Sequence, residues 1–249
     1  MQQNQLKKFR AWFSDYVAGF YGDDEYINAN VKLKEDHTRR TCEEMLHLAK
    51  ALALSDNRTR IAEVIALFHD IGRFEQFVRY RTYVDSRSVN HCLLGLEVLR
   101  QTKVLEDVDE TERQLIEKAI EYHGLKKLPP DLNGDCLLFS RLIRDADKID
   151  VLYVVTDYYR RYADNQQDFK LELELPEVPE YSKKVIEQLL LGRQIDYNDL
   201  RTMTDMRLCQ LGWVYDINFI QRPDQVILAL HVITVMEYLP APDDARRVG

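Results

Sequence analysis

Six residues in this chain have the types and the order of a divalent-metal centre: His37, the adjacent pair His69 and Asp70, His91, His123 and Asp147. Imidazole nitrogens and carboxylate oxygens make a mixed donor set that suits a divalent ion. The adjacent pair is the anchor. A carboxylate has two oxygens, so Asp70 can bridge two ions while His69 holds one of them. His37 and Asp147 then complete the protein shell of the first ion, and His91 and His123 hold the second. Two ions about 3.5–4 Å apart lower the pKa of a bridging water and clamp both oxygens of an in-line displacement at phosphorus. Such a shell leaves positions free for water and substrate, as catalysis requires.

Each of these residues has to be delivered by an element, and the apolar periodicity supplies helices for the purpose. Residues 5–20 read as a first helix, with Leu6, Phe9, Trp12, Phe13, Tyr16 and Val17 on one side. A second, over residues 25–54, carries His37. Ser55 or Asp56 can cap a short apolar helix running through Ile61, Val64, Ile65 and Phe68. That helix delivers His69 and Asp70 and stops near Gly72. Residues 74–90 read as irregular. Helices over 91–102, 106–122 and 135–162 bring His91, His123 and Asp147. Beyond them Phe169, Leu171, Leu173 and Leu175 alternate, as in a short strand or extended segment. Residues 180–191, 197–211 and 223–238 read as helices, and 240–249 as a loose tail. The expected organisation is a helical core over 1–162 and a helical extension over 163–249 packed on it.

Composition narrows the class. Nine glycines and seven prolines in 249 residues suit long helices with short connections. The net charge of −8 argues against a general nucleic-acid binder, which needs a basic face for phosphates. Lys32 to Arg40 and Arg73 to Arg87 run the other way, and both flank proposed ligands, where an anionic substrate could arrive. No apolar run is long enough for a bilayer. Cys42, Cys92, Cys136 and Cys209 show no CxxC spacing. Free thiols in a reducing cytoplasm are the simplest expectation, with no membrane and no nucleic acid as partner.

Three stretches carry a family resemblance: Glu35-Asp36-His37-Thr38-Arg39-Arg40, Ala66-Leu67-Phe68-His69-Asp70-Ile71-Gly72-Arg73 and Asp145-Ala146-Asp147-Lys148-Ile149-Asp150. They resemble the HD-domain metal-dependent phosphohydrolase superfamily over about residues 25–160. The resemblance implies an all-α helical bundle, with His37, His69, Asp70 and Asp147 as metal ligands. His91 and His123 match the extra histidines of its two-metal branches. Arg73 and Phe74 stand where single-metal nucleotidases often place an acidic residue. Tyr122-His123 and Leu128-Pro129-Pro130 depart from the cyclic di-GMP signature, and Leu33 stands where cyclic nucleotide phosphodiesterases carry a proton-donating histidine. The mixed-valent di-iron oxygenases of the superfamily share the same ligand order. That leaves oxygenase as the alternative chemistry, and a non-catalytic metal or nucleotide sensor as a third reading.

Arg73, three residues past Asp70, is the next candidate, because a guanidinium grips phosphate with two donors. Lys148, beside Asp147, is a second phosphate contact in the same expectation. With Asp70 these form the expected catalytic set. Arg144 is a weaker candidate, and Arg79, Arg81 and Arg87 read as a solvated loop face. No residue stands out as a general acid. Asp145 and Asp150 suit carboxylates that orient a ligating histidine by accepting its other N–H. His47 reads as an ordinary polar position and His231 as a packed helix histidine. The expectation is therefore hydrolysis of a phosphomonoester or phosphodiester, a nucleotide among the candidates, by a metal-bridging hydroxide. Two divalent ions serve it, with iron, manganese or nickel suiting the His-rich shell better than magnesium alone. A homodimer is one use of the extension.

Overall fold

In the computed structural model the described residues are 1–164, 175–219, 232, 234–237, 239 and 247–248. They form an all-α protein whose chain divides into two units, Met1–Asp150 and Val151–Gly249. The division falls inside a long helix, ahead of the boundary after residue 162 that the sequence suggests.

In the first unit α1 spans Gln3–Ala18 and buries Leu6, Phe9, Phe13 and Val17. Those four sit at helical spacing, so one stripe faces the core. Phe9 and Trp12 meet Phe68 edge-on at 5.8 and 5.6 Å. Helix α2, Glu25–Ala51, starts at Asp24, whose side chain accepts from the Ile27 N–H. Its buried stripe includes Val31, Thr38, Thr41, Met45 and Leu48, and His37 lies on it. Periodicity alone therefore turns His37 inward.

Helix α3, Asp56–Phe68, is buried on every side from Ile61 to Phe68. A helix that is apolar all round must be enclosed, and α1, α2 and α6 all pack against α3. It ends at His69. Asp70 has φ −106° and ψ 16°, outside helical geometry, and α4 begins at Ile71.

Helix α4, Ile71–Tyr80, corrects the expectation of an irregular segment over 74–90. Ile71, Phe74 and Phe77 are buried at helical spacing, and Arg81 ends the helix in the left-handed region at φ 56°. The dense charges of this stretch hide a strongly two-faced helix. Helix α5, His91–Gln101, is capped by Asn90, which accepts from the Leu93 N–H. α4 and α5 cross where Gly72 meets Gly95: a Cβ on Gly72 would lie 2.3 Å from the His91 carbonyl oxygen and 2.6 Å from Gly95 N. Only glycine allows that approach.

Helix α6, Glu110–His123, starts four residues later than expected, because Asp109 caps it through Thr111 N and Glu112 N. Helix α7, Gly134–Asp164, supplies Asp145, Asp147 and Asp150.

The second unit continues α7 and adds α8, Lys183–Leu190, and α9, Met203–Gly212. Val185, Ile195, Leu200, Met206, Leu208 and Cys209 form its core. Asp205 ties it together by accepting from Ser182 N and Ser182 Oγ, each at 2.6 Å, and from Arg201 N at 2.9 Å. The helix expected over 197–211 is divided into a 3-10 turn, Tyr197–Asp199, and α9. Strands β1, Tyr181–Ser182, and β2, Arg247–Val248, pair in parallel. The extended segment expected from Phe169 falls outside the described residues, as do His231 and most of 223–238 and 240–249. Among the described residues no cysteine forms a disulfide. Among the described residues no helix is long and apolar enough to cross a membrane.

Candidate metal centre

The six expected ligands come from six places in the fold. His37 is on α2, His69 closes α3, Asp70 opens α4, His91 opens α5, His123 closes α6 and Asp147 lies on α7. Their donor atoms converge, and Asp70 divides them into two sets. Its Oδ2 lies 3.5 Å from His37 Nε2 and 3.7 Å from His69 Nε2. Its Oδ1 lies 3.5 Å from His91 Nε2 and 3.6 Å from His123 Nε2. Within the first set, His37 Nε2 is 3.3 Å from His69 Nε2 and 3.1 Å from Asp147 Oδ1. Within the second, His91 Nε2 and His123 Nε2 are 3.2 Å apart.

These spacings fit cations. Donors bound at about 2.0–2.1 Å to one ion lie about 2.9–3.4 Å from each other, so modest side-chain adjustment closes either set. The side chains are buried, with Asp147 the most open at 27% exposure, so solvent reaches the centre on its side.

The outer ring nitrogens are arranged in the same way for each pair. His37 Nδ1 lies 2.6 Å from Asp150 Oδ2, and His91 Nδ1 lies 2.7 Å from Asp85 Oδ2. His69 Nδ1 is 2.7 Å from the Ala66 carbonyl and His123 Nδ1 is 2.6 Å from the Ile120 carbonyl. A carbonyl only accepts, so these two rings carry hydrogen on Nδ1 and turn Nε2 into the centre. Each half thus joins one carboxylate-backed imidazole to one carbonyl-backed imidazole. Each backing carboxylate is in turn held by an arginine. Arg40 donates to Asp150 through Nε and Nη2, and Arg73 Nη1 donates to Asp85 Oδ1 at 2.9 Å.

Electrostatics follow from this crowding. Burial and the Lys34 charge oppose protonation of His37, but Asp147, Asp150 and Asp70 outweigh them and lift it to about 10. Burial dominates at His69 and lowers it. Burial also opposes a charge on Asp70, yet Lys34 and the surrounding imidazoles hold its carboxyl well below the usual range. Asp147 is likewise depressed, its burial offset by hydrogen bonds from His37 and His69. Asp85 falls to about 2 despite partial burial, chiefly through His91 and Arg73.

Arg73 reaches Asp70 Oδ1 at 3.4 Å through Nε, while its Nη1 donates to Gln76 Oε1, the Tyr83 carbonyl and Asp85. These contacts fix the loop that holds His91. Lys148 is half-buried beside Asp147 on α7. Arg144 Nη1 donates to the carbonyls of His123 and Leu125, pinning the end of α6. His47 is exposed.

Three participants were not picked out as site residues from the sequence. Lys34 Nζ lies 2.7 Å from Asp70 Oδ2, with the Tyr83 ring 5.5 Å away. It precedes His37 by three residues, so helical periodicity could have found it. Asp85 lies in the segment whose charge pattern suggests irregular structure. Cys92 Sγ lies 3.4 Å from His91 Nε2, and adjacency to a candidate ligand was its only signal.

Residues 35–152 match the model of the HD domain family, which identifies this segment as an HD domain. No curated protein and no solved structure matches it.

Proposed function

We propose that this protein is a metal-dependent phosphohydrolase acting on a small phosphomonoester or phosphodiester, nucleotides included. HD domains are generally metal-dependent phosphohydrolases, and the observation that carries the reading here is the division of Asp70. One of its oxygens faces His37 and His69, and the other faces His91 and His123. The residues fit two divalent ions, the first held by His37, His69, Asp70 and Asp147 and the second by His91, His123 and Asp70. Iron, manganese or nickel suits this nitrogen-rich set better than magnesium. Such ions supply charge stabilisation at phosphorus and acidify water.

The chain's own residues do the rest. Asp150 and Asp85 fix the imidazole orientations of His37 and His91. Lys34 stands at the edge of the centre, bonded to Asp70 Oδ2 and only slightly exposed. Its ammonium is placed to pair with an incoming phosphoryl oxygen. Asp147 lies on the open side, where substrate approaches.

The test is a panel of phosphomonoesters and phosphodiesters offered to metal-loaded protein in air and without oxygen. The reading predicts phosphate or alcohol release under both conditions. Substrate-dependent oxygen consumption without ester cleavage would replace it with an oxygenase. Tight ligand binding without turnover across the panel would replace it with a sensor.

A further inference from the structure

We infer that Cys92 is a fourth protein donor to the second ion, giving that position a thiolate beside its two imidazoles and one carboxylate oxygen. The inference rests on the metal-centre reading above and not on which reaction the centre performs.

The first position has four protein donors: His37, His69, Asp70 Oδ2 and Asp147. The second has three without Cys92: His91, His123 and Asp70 Oδ1. Cys92 Sγ supplies the difference at 3.4 Å from His91 Nε2. A thiolate at about 2.3 Å and an imidazole at about 2.0–2.1 Å from one ion lie about 3.1–3.6 Å from each other. The spacing therefore suits two donors of one cation. His91 Nδ1 is already engaged by Asp85, so Nε2 is the nitrogen left for an ion.

The surroundings make room for the sulfur. Cys92 is only 2% exposed, and it packs against Gly124. A Cβ at residue 124 would lie 2.6 Å from Sγ and 3.2 Å from His91 Cε1. The residue after His123 thus leaves open the space that Sγ occupies. Sγ also lies 3.6 Å from His123 Nδ1, but that nitrogen gives its hydrogen to the Ile120 carbonyl, so this contact does not tie up the sulfur. Cys92 lies in the first turn of α5, where the helix N-terminus favours a thiolate. As the sulfur–metal bond forms, the thiol proton leaves to solvent.

A thiolate changes which ions the second position takes. Sulfur favours zinc, ferrous iron and cobalt over manganese or magnesium, whereas the all-nitrogen-and-oxygen first position is less selective. The two halves would then differ in metal preference despite their matched imidazole geometry.

X-ray absorption of the zinc-loaded full chain tests this directly. The expected result is a sulfur shell near about 2.3 Å, at about one sulfur for every two zinc ions. Cys92→Ser should abolish that shell, while Cys42→Ser should keep it. Zinc-loaded wild type with only nitrogen and oxygen neighbours overturns the inference. So does a sulfur shell that survives Cys92→Ser, or a wild type that takes up no zinc. If Cys92→Ser fails to fold, Cys42→Ser, Cys136→Ser and Cys209→Ser decide together, because a sulfur shell kept in all three leaves only Cys92 as its source. A sulfur shell in protein that cleaves no phosphoester would count against the proposed reaction and leave this donor in place.

Discussion

Asp85 Oδ2 sits 2.7 Å from His91 Nδ1, and this contact makes a loop residue the partner of a helix-borne imidazole. Asp150 does the same for His37 from α7. The two carboxylates differ in setting: Asp150 is nearly inaccessible, whereas Asp85 is about a third exposed. Removing a carboxylate behind a ligating histidine typically costs about 10–100-fold in metal affinity. Asp150→Asn should weaken the first ion and Asp85→Asn the second, each by about that factor. Calorimetric titration should therefore show one binding step weakened much more than the other. Equal loss of both steps in either variant would contradict two separately backed positions.

Asp70 and Asp147 should separate in the same way. Asp70 faces both pairs of imidazoles, whereas Asp147 lies 3.1 Å from His37 Nε2 and 3.8 Å from His69 Nε2. Asp70→Ala should lose both ions on dialysis. Asp147→Ala should retain the second. Elemental analysis of the dialysed variants gives the answer, and full metal content in Asp70→Ala would refute the bridging role.

Lys34 offers a test of how the centre meets an anion. A hydrogen bond to a charged group contributes about 1.5–3 kcal/mol, so Lys34→Met should weaken inhibition by inorganic phosphate by roughly 10–100-fold. Lys34→Arg should restore part of it. Unchanged phosphate inhibition in Lys34→Met would place the substrate anion elsewhere.

Metal uptake should depend on pH with a defined sign. His37 is raised to about 10, so near neutrality its imidazole carries the extra proton. A metal needs Nε2 unprotonated, so binding must expel that proton. Apparent affinity should rise from pH 6 to pH 8, by about tenfold per unit for each proton released, and level off only above the His37 pKa. Titrations in buffers of different ionisation enthalpy measure the release directly. Affinity that stays flat over this range would show that binding expels no proton from His37.

Gly72 sets the approach of α4 to α5. Its missing Cβ leaves room for the His91 carbonyl and Gly95 N, both backbone atoms that cannot swing aside. Gly72→Ala should cost about 1–3 kcal/mol or more of stability, visible as a lower Tm. Because the displaced atoms belong to α5, affinity for the second ion should fall with it. A variant with wild-type Tm would show that the helices part without strain.

The six candidate ligands were legible in the sequence because most of them adjoin a strong local signal. His37 lies on an apolar stripe, His69 and Asp70 follow an apolar helix, and His123 precedes a glycine. The charged residues around α4 were harder. There a buried Phe74–Phe77 face is interleaved with arginines, and a helix looks like a loop. The same misreading obscured Asp85. Arg73 shows a second limit: its sequence position suggests a free anion grip, but its Nη1 contacts depend on Tyr83 and Asp85, which only folding brings within reach. Lys34 lies one helical turn before His37 and Cys92 adjoins His91, but their contacts with Asp70 and His91 form only in the folded protein.

If Asp70 serves two cation positions, as proposed, a thermodynamic consequence follows. Whatever orientation one guest imposes on the Asp70 carboxylate is inherited by the other. Occupancy on one side would then alter affinity on the opposite side, and linkage makes that influence equal in both directions. Neither dissociation constant would be a property of one half alone.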